Sequence, residues 1–178
     1  DRAGDPELFT AAARAAFAVL DTPLAERLGM EPITRFTKEE TAAAAAYAAE
    51  LARFGEDDRP WPDFYVCFLG VGSDGHIASL FPDRSAIQLT DRGVVAVREA
   101  PKPPAERITL TRPVINSARC VWLVVSGSDK AAALGLALAG ASYETVPAAG
   151  AKGRKRTLFF VDEAAAVGVP PELIDQDF

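Results

Sequence analysis

Residues 65–82 read YVCFLGVGSDGHIASLFP. Phe64 to Leu69 is an uninterrupted apolar run with β-branched and aromatic residues and no charge. That pattern predicts a strand buried on both faces, as in a parallel sheet covered by helices. Gly70, Gly72 and Gly75 follow within six residues, and glycines let a backbone take positive φ and let a ligand come close. Between and after them stand Asp74 and His76, the single histidine of the chain. Ligands of open parallel sheets bind beyond the carboxyl ends of the strands, where this loop falls. Each piece alone has a plain explanation. A glycine-rich turn after a strand is common, a lone histidine is often structural, and Gly72–Gly75 suits a tight turn. The combination is more pointed: a carboxylate two residues before an imidazole, then the small-residue segment Ile77-Ala78-Ser79.

Outward from this stretch, strands alternate with loops and helices. Upstream, Glu7–Leu20 has helical spacing behind Asp5-Pro6, and a short strand or turn is expected at residues 33–36. Thr37–Phe54 is an alanine-rich helix opened by the capping pair Thr37 and Glu40 and stopped by Gly55. A charged, proline-bearing loop then delivers the chain to the strand at 64–69, expected to be the central one. Downstream, Asp83–Arg92 reads as polar loop, Val94–Val97 as a strand, and residues 101–104 as a proline-rich connector. Ile108–Thr111 is extended, Arg112–Ala118 a short helix entered at Pro113, and Cys120–Val125 (CVWLVV) a buried strand. Lys130–Ala141 is a helix, Thr157–Val161 the last strand, and Asp162–Val167 a short helix. The succession predicts one α/β domain over residues 1–178, a three-layer α/β/α arrangement around a mostly parallel sheet.

Composition limits the function classes. Hydrophobic residues make up 49% and charged ones 25% of the 178 residues, ordinary for a folded water-soluble domain. A formal net charge of −6 disfavours nucleic acid, whose binding requires phosphate neutralisation. An anionic substrate would therefore need a locally positive site. No apolar run approaches the roughly 20 residues that cross a bilayer, and no targeting segment opens the chain, so a cytoplasmic location is expected. Cys67 and Cys120 both lie in predicted strands and read as small core residues. One histidine without acids at ligand spacing argues against zinc.

Two further loops carry charge. After Val125 come Ser126, Gly127, Ser128, Asp129 and Lys130. Backbone N–H groups and a lysine at the start of a helix attract anions, although a terminus capped by Ser128 or Asp129 with a solvated lysine is the plainer explanation of these residues alone. Lys152, Arg154, Lys155 and Arg156 form the one basic cluster, read first as a solvated loop and second as an attractor of phosphate.

The segment GVGSDGHIASLFP resembles the signature loop of the 6-phosphogluconolactonases, within the sugar-phosphate isomerase and deaminase superfamily. Hexosamine-6-phosphate deaminases share the G-x-G-x-D-G-H-I-A core but continue with an Asn-Glu-Pro segment. This chain continues Ser79-Leu80-Phe81-Pro82, as the lactonases do. RITLTRPVINSARCVWLVVSGSDKA and PAAGAKGRKRTLFFVDEAAA resemble the same family, so the likeness runs over residues 64–167. Residues 1–63 match only loosely. Family members carry more sequence at the N-terminus, including a serine- and glycine-rich phosphate loop, and the chain is expected to be a fragment of a longer protein.

The resemblance implies hydrolysis of 6-phosphoglucono-δ-lactone to 6-phosphogluconate. His76 would be the general base and Asp74 its orienting partner. Gly70, Gly72 and Gly75 would line the substrate site, with backbone N–H groups of Gly72–Gly75 facing the oxyanion. Lys130, from the S-G-x-x-K-A segment, would bind the phosphate, with Arg107 of the R-I-T-L-T segment beside it. No cofactor or metal is implied, and the partner is a small sugar-phosphate lactone acted on by a monomer or weak homo-oligomer. Two other functions stay open: an amino-sugar-phosphate deaminase or isomerase, and a sugar-phosphate-binding domain without turnover.

Overall fold

The computed structural model describes residues 40–55 and 59–173. The expected helix at 7–20, the short strand at 33–36 and the capping residue Thr37 lie outside the described residues. The first element is helix α1, Glu40–Ala52. Its alanines give high helix propensity, and Ala44 and Leu51, two turns apart, are buried. At its end Gly55 N–H donates to the Ala52 carbonyl at 3.1 Å. A Cβ at Gly55 would strike the Arg59 carbonyl, so the stop is steric as well as entropic.

Strands β1 (Val66–Gly70), β4 (Cys120–Val125) and β5 (Arg156–Val161) form a parallel sheet in the order β1-β4-β5. Val66 pairs with Cys120 and Gly70 with Val124, while Cys120 pairs with Arg156 and Val125 with Val161. The expected α/β class with a mostly parallel sheet is what forms. One detail differs: among the described residues β4, not β1, is the middle strand. β4 has six residues and partners on both sides, so its apolar run is the one the sheet encloses.

Strands β2 (Val94–Val97) and β3 (Arg107–Leu110) make a separate antiparallel ribbon in the register Val94↔Leu110 to Val97↔Arg107, and α1 packs on it. Helix α2 (Arg112–Ser117) starts at a proline as expected. Helix α3 (Ala131–Leu138) follows a 3₁₀ turn at Ser128–Lys130. It ends with Gly140 at φ +75° and Ala141 N–H bonded to the Leu136 carbonyl, a left-handed close that glycine makes without strain.

Burial on both sheet faces is not observed. Val121, Leu123 and Val125 are buried while Val124 is exposed and Trp122 half-buried. The outward face is an aromatic ladder. Phe68 and Phe160 flank Trp122 edge-on, with ring centroids 5.1 and 5.2 Å away. Phe68 remains 56% exposed, so the strands alternate because the described residues supply a covering layer on one side.

Two loops also differ from expectation. Asp83–Arg92 contains a 3₁₀ turn, Ser85–Gln88, that drives Ile87 fully into the core. Asp162–Val167 forms turns, not a helix. The Asp162 carboxylate accepts from Ala165 N–H and Gly127 N–H and from the Ser126 hydroxyl, which ties the segment to the end of β4. Three arginines gather on Asp63 ahead of β1: Arg119 at 3.0 Å, Arg59 at 3.9 Å, and Arg154. This clasp explains part of the basic cluster, since Arg154 holds the entry of β5 to the entry of β1.

Candidate active site

β1 ends at Gly70, and the chain turns over itself at once. Gly72 N–H donates to the His76 carbonyl at 2.9 Å and Gly75 N–H to the Gly72 carbonyl at 2.9 Å. Gly75 sits at φ +80°, where an L side chain is strained, and a Cβ there would lie 2.8 Å from Val146 Cγ1. A Cβ at Gly72 would overlap the His76 ring. Gly70 has nothing within 4 Å of a Cβ and no positive φ. Thus two of the three glycines are demanded by the loop itself. The N–H groups of Gly72 and Gly75 are also consumed by it, which removes them as oxyanion donors.

The loop exists to set Asp74 against His76. Asp74 Oδ1 lies 2.5 Å from His76 Nδ1 and accepts the backbone N–H of His76 at 3.4 Å. An ionised carboxylate only accepts, so Nδ1 carries the ring proton and Nε2 presents its lone pair. The imidazole leans on Phe81, with centroids 4.6 Å apart, and Phe81 is fully buried. Sequence and packing together thus fix tautomer, rotation and backing of the ring.

A cation absent from the sequence expectations completes the pair. Lys102 Nζ donates to Asp74 Oδ1 at 3.3 Å and to Ser73 Oγ at 3.4 Å. Its position is set by Arg107. That guanidinium donates to the carbonyls of Pro104, Lys102 and Pro103 at 3.0, 2.8 and 3.0 Å. It also lies 5.3 Å from the centroid of Phe81. Arg107 therefore holds the connector that carries Lys102, whereas it was expected beside Lys130 as a companion phosphate ligand. The one sequence signal for Lys102 was its place among Pro101, Pro103 and Pro104, where a lysine is held stiffly.

The electrostatics follow from these contacts. Burial lowers the His76 pKa from its ordinary 6.5; Asp74 opposes this, and the charges of Lys102 and Arg107 reinforce it. His76 is consequently a neutral base at neutral pH. Burial alone would raise Asp74, but the His76 hydrogen bond and the ammonium of Lys102 outweigh it, and the carboxyl falls below its ordinary 3.8. The pair can take a proton at Nε2 and stabilise the imidazolium that results.

Lys130 stands apart from this cluster. It belongs to the loop after β4, and its Nζ donates to Asp129 at 3.1 and 3.2 Å. β1 and β4 are parallel neighbours, so both loops leave the same end of the sheet. Its expected contact is therefore of place, at that shared edge, while Lys102 is the cation in direct contact with Asp74. Among the described residues no group of three or more His, Cys, Asp or Glu side chains is placed to hold a metal ion. Cys67 and Cys120 are both unbridged, and burial pushes the Cys67 thiol up to about 12.

A profile described as "Glucosamine-6-phosphate isomerases/6-phosphogluconolactonase" matches residues 3–160. The chain belongs to this family. The match starts far upstream of residue 64, so the segment that resembled the family only loosely is part of it too. Among curated relatives, a 6-phosphogluconolactonase of Streptomyces coelicolor is 52% identical over 134 residues, covering 74% of this chain and 51% of its own length. One from Mycobacterium leprae is 48% identical over 135 residues, covering 76% of this chain and 55% of its own length. The chain thus spans about half the length of the curated relatives it matches. The solved 6-phosphogluconolactonase of Trypanosoma brucei is 30% identical, with a TM-score of 0.63 over 80% of this chain and 59% of that one. No helix among the described residues is long and apolar enough to cross a membrane.

Proposed function

We propose that this protein hydrolyses 6-phosphoglucono-δ-lactone to 6-phosphogluconate. The observation that carries the reading is the Asp74–His76 pair, 2.5 Å apart with Nε2 left as the basic nitrogen. A sugar lactone is an activated ester, so water can attack its carbonyl directly. His76 Nε2 takes a proton as the water oxygen bonds to the carbonyl carbon. Asp74 stabilises the imidazolium, as carboxylates do in triads. The tetrahedral oxyanion then collapses, the bond to the ring oxygen breaks, and His76 returns its proton to that oxygen. Atoms and charge balance without a second reactant.

Lys102 and Arg107 make the floor of the site positive against a chain of net charge −6, and that suits an anionic substrate and an oxyanion. Lys130 serves the phosphate from the neighbouring loop. Its bond to Asp129 joins adjacent side chains, the lysine 26% and the carboxylate 62% exposed, and a pair with so exposed a partner contributes only about 0–1 kcal/mol. A phosphate can displace it at little cost. The setting is cytoplasmic, which free thiols in β1 and β4 suit.

The test is an assay of 6-phosphogluconate release from the lactone beside ammonia release from glucosamine-6-phosphate. Lactone hydrolysis well above the spontaneous rate, with no ammonia, is expected. Ammonia release would assign the deaminase reaction instead, and saturable sugar-phosphate binding without either product would leave a binding domain.

A further inference from the structure

A second positively charged site stands outside the catalytic cluster, and we propose that it binds a small phosphate monoester. The site is a cavity of about 230 Å³ between α2, the turn after α3 and the Pro147–Gly150 turn. Arg112, Asn116, Ser142, Tyr143, Gly150 and Lys152 line it, and no acidic side chain does. In a chain of net charge −6, two cations without a carboxylate form a local reversal of the field.

The geometry is built, not incidental. The Arg112 guanidinium stacks over the Tyr143 ring, 4.2 Å from its centroid. Its Nε is buried without a hydrogen-bond partner among the described residues. A buried donor of this kind ordinarily finds an acceptor, and none of the described residues supplies it. Asn116 lies one turn after Arg112 on the same helix face. It donates to the Gly150 carbonyl and accepts the Lys152 N–H, both at 2.9 Å. Those two bonds lock the far wall and set Lys152 at the rim. Gly150 is obligatory there, since a Cβ would lie 2.5 Å from Tyr143 Cβ and 3.3 Å from Arg112 Cδ.

The chemistry selects the ligand. A guanidinium with its aromatic backing and a mobile ammonium together suit phosphate, the first as a planar donor fork and the second as a point charge. The volume exceeds a single water's share of about 30 Å³ and falls below the ~300 Å³ at which drug-sized pockets begin. An ester with a few carbons fits, whereas a nucleotide does not. The basic cluster of residues 152–156 thereby divides: Arg154 clasps Asp63, and Lys152 faces this cavity. The site does not rest on the lactonase reading.

The test is an amide NMR titration of the protein with glycerol 3-phosphate and with inorganic phosphate, against sodium chloride at matched ionic strength. Saturable shifts are expected at the Lys152 amide and the Asn116 side-chain amide, tighter for the ester. Arg112→Gln should weaken binding at least tenfold and Lys152→Gln severalfold, while Lys102→Gln leaves it unchanged. Lys152 is exposed, so its variant keeps the test decisive if Arg112→Gln loosens the turn. Shifts that chloride reproduces, shifts that do not saturate, or native affinity in Lys152→Gln would overturn the site. Saturation by inorganic phosphate with the ester excluded would overturn the ester assignment.

Discussion

Gly70 and Val124 are register partners in adjacent parallel strands, and His76 and Lys130 each lie six residues further on. The two loops leave the same sheet end with similar residues: small and glycine-rich, one carboxylate, one basic side chain. They differ in burial. The first folds onto Phe81 and the connector carrying Lys102, so its imidazole loses water and its pKa falls. In the second, a lysine 26% exposed meets the neighbouring aspartate, which is 62% exposed. The same chain grammar therefore yields a desolvated imidazole in one loop and a lysine paired to its neighbouring aspartate in the other. Environment separates the two roles.

The largest expected effect breaks the first loop's chemistry. His76→Ala should lower lactone turnover by roughly 10²–10⁴, the usual worth of a positioned base, with the unfolding midpoint retained. Near-native turnover at native stability would remove His76 from the mechanism. The next effect concerns the scaffold. Gly75→Ala must place a methyl at φ +80° and against Val146, and should cost about 2 kcal/mol or more in urea unfolding. Gly70→Ala, with open space around it, should stay within about ±0.5 kcal/mol. Equal costs at the two glycines would contradict the loop geometry.

How much of this was legible beforehand follows the range of the interactions. β2 and β4 matched their apolar runs, because a strand's composition is a local property. The loop's position matched too, since the end of β1 fixes it. What the sequence hid was distant pairing. Lys102 and Asp74 are 28 residues apart, and only the Arg107 clamp on three carbonyls brings them together. The antiparallel pairing of β2 with β3, the middle place of β4, and the burial of Ile87 likewise depend on partners far along the chain. Asp162 misled for the opposite reason. Its composition suits a helix start, yet its carboxylate is drawn to Gly127 and Ser126 across the sheet end.

A smaller effect tests the second loop. Lys130→Ala should raise KM for the phosphorylated lactone about tenfold with little change in kcat, the mark of a contact made equally in ground and transition states. A charge-assisted hydrogen bond of ~1.5–3 kcal/mol supports that size. Loss of kcat with KM unchanged would instead join Lys130 to the chemistry of the first loop.

The finest distinction is the pH dependence of the first loop. His76 has a folded pKa below its ordinary 6.5, so kcat/KM should hold level down through that value and fall only at lower pH, as the imidazole protonates. The same depression means that the unfolded chain binds the proton more readily. The histidine's contribution to stability is therefore complete above 6.5 and is lost as pH falls through the folded pKa. Lys102→Gln removes a cation that disfavours the imidazolium and also releases Asp74 to favour it. Both changes act in one direction, and the acid limb should move toward higher pH. An unmoved or lowered limb in this variant, measured across pH 5 to 8 on the lactone (about the range where a histidine titrates), would show that the ammonium does not act on the base. Burial and the Arg107 charge would then account for its low basicity.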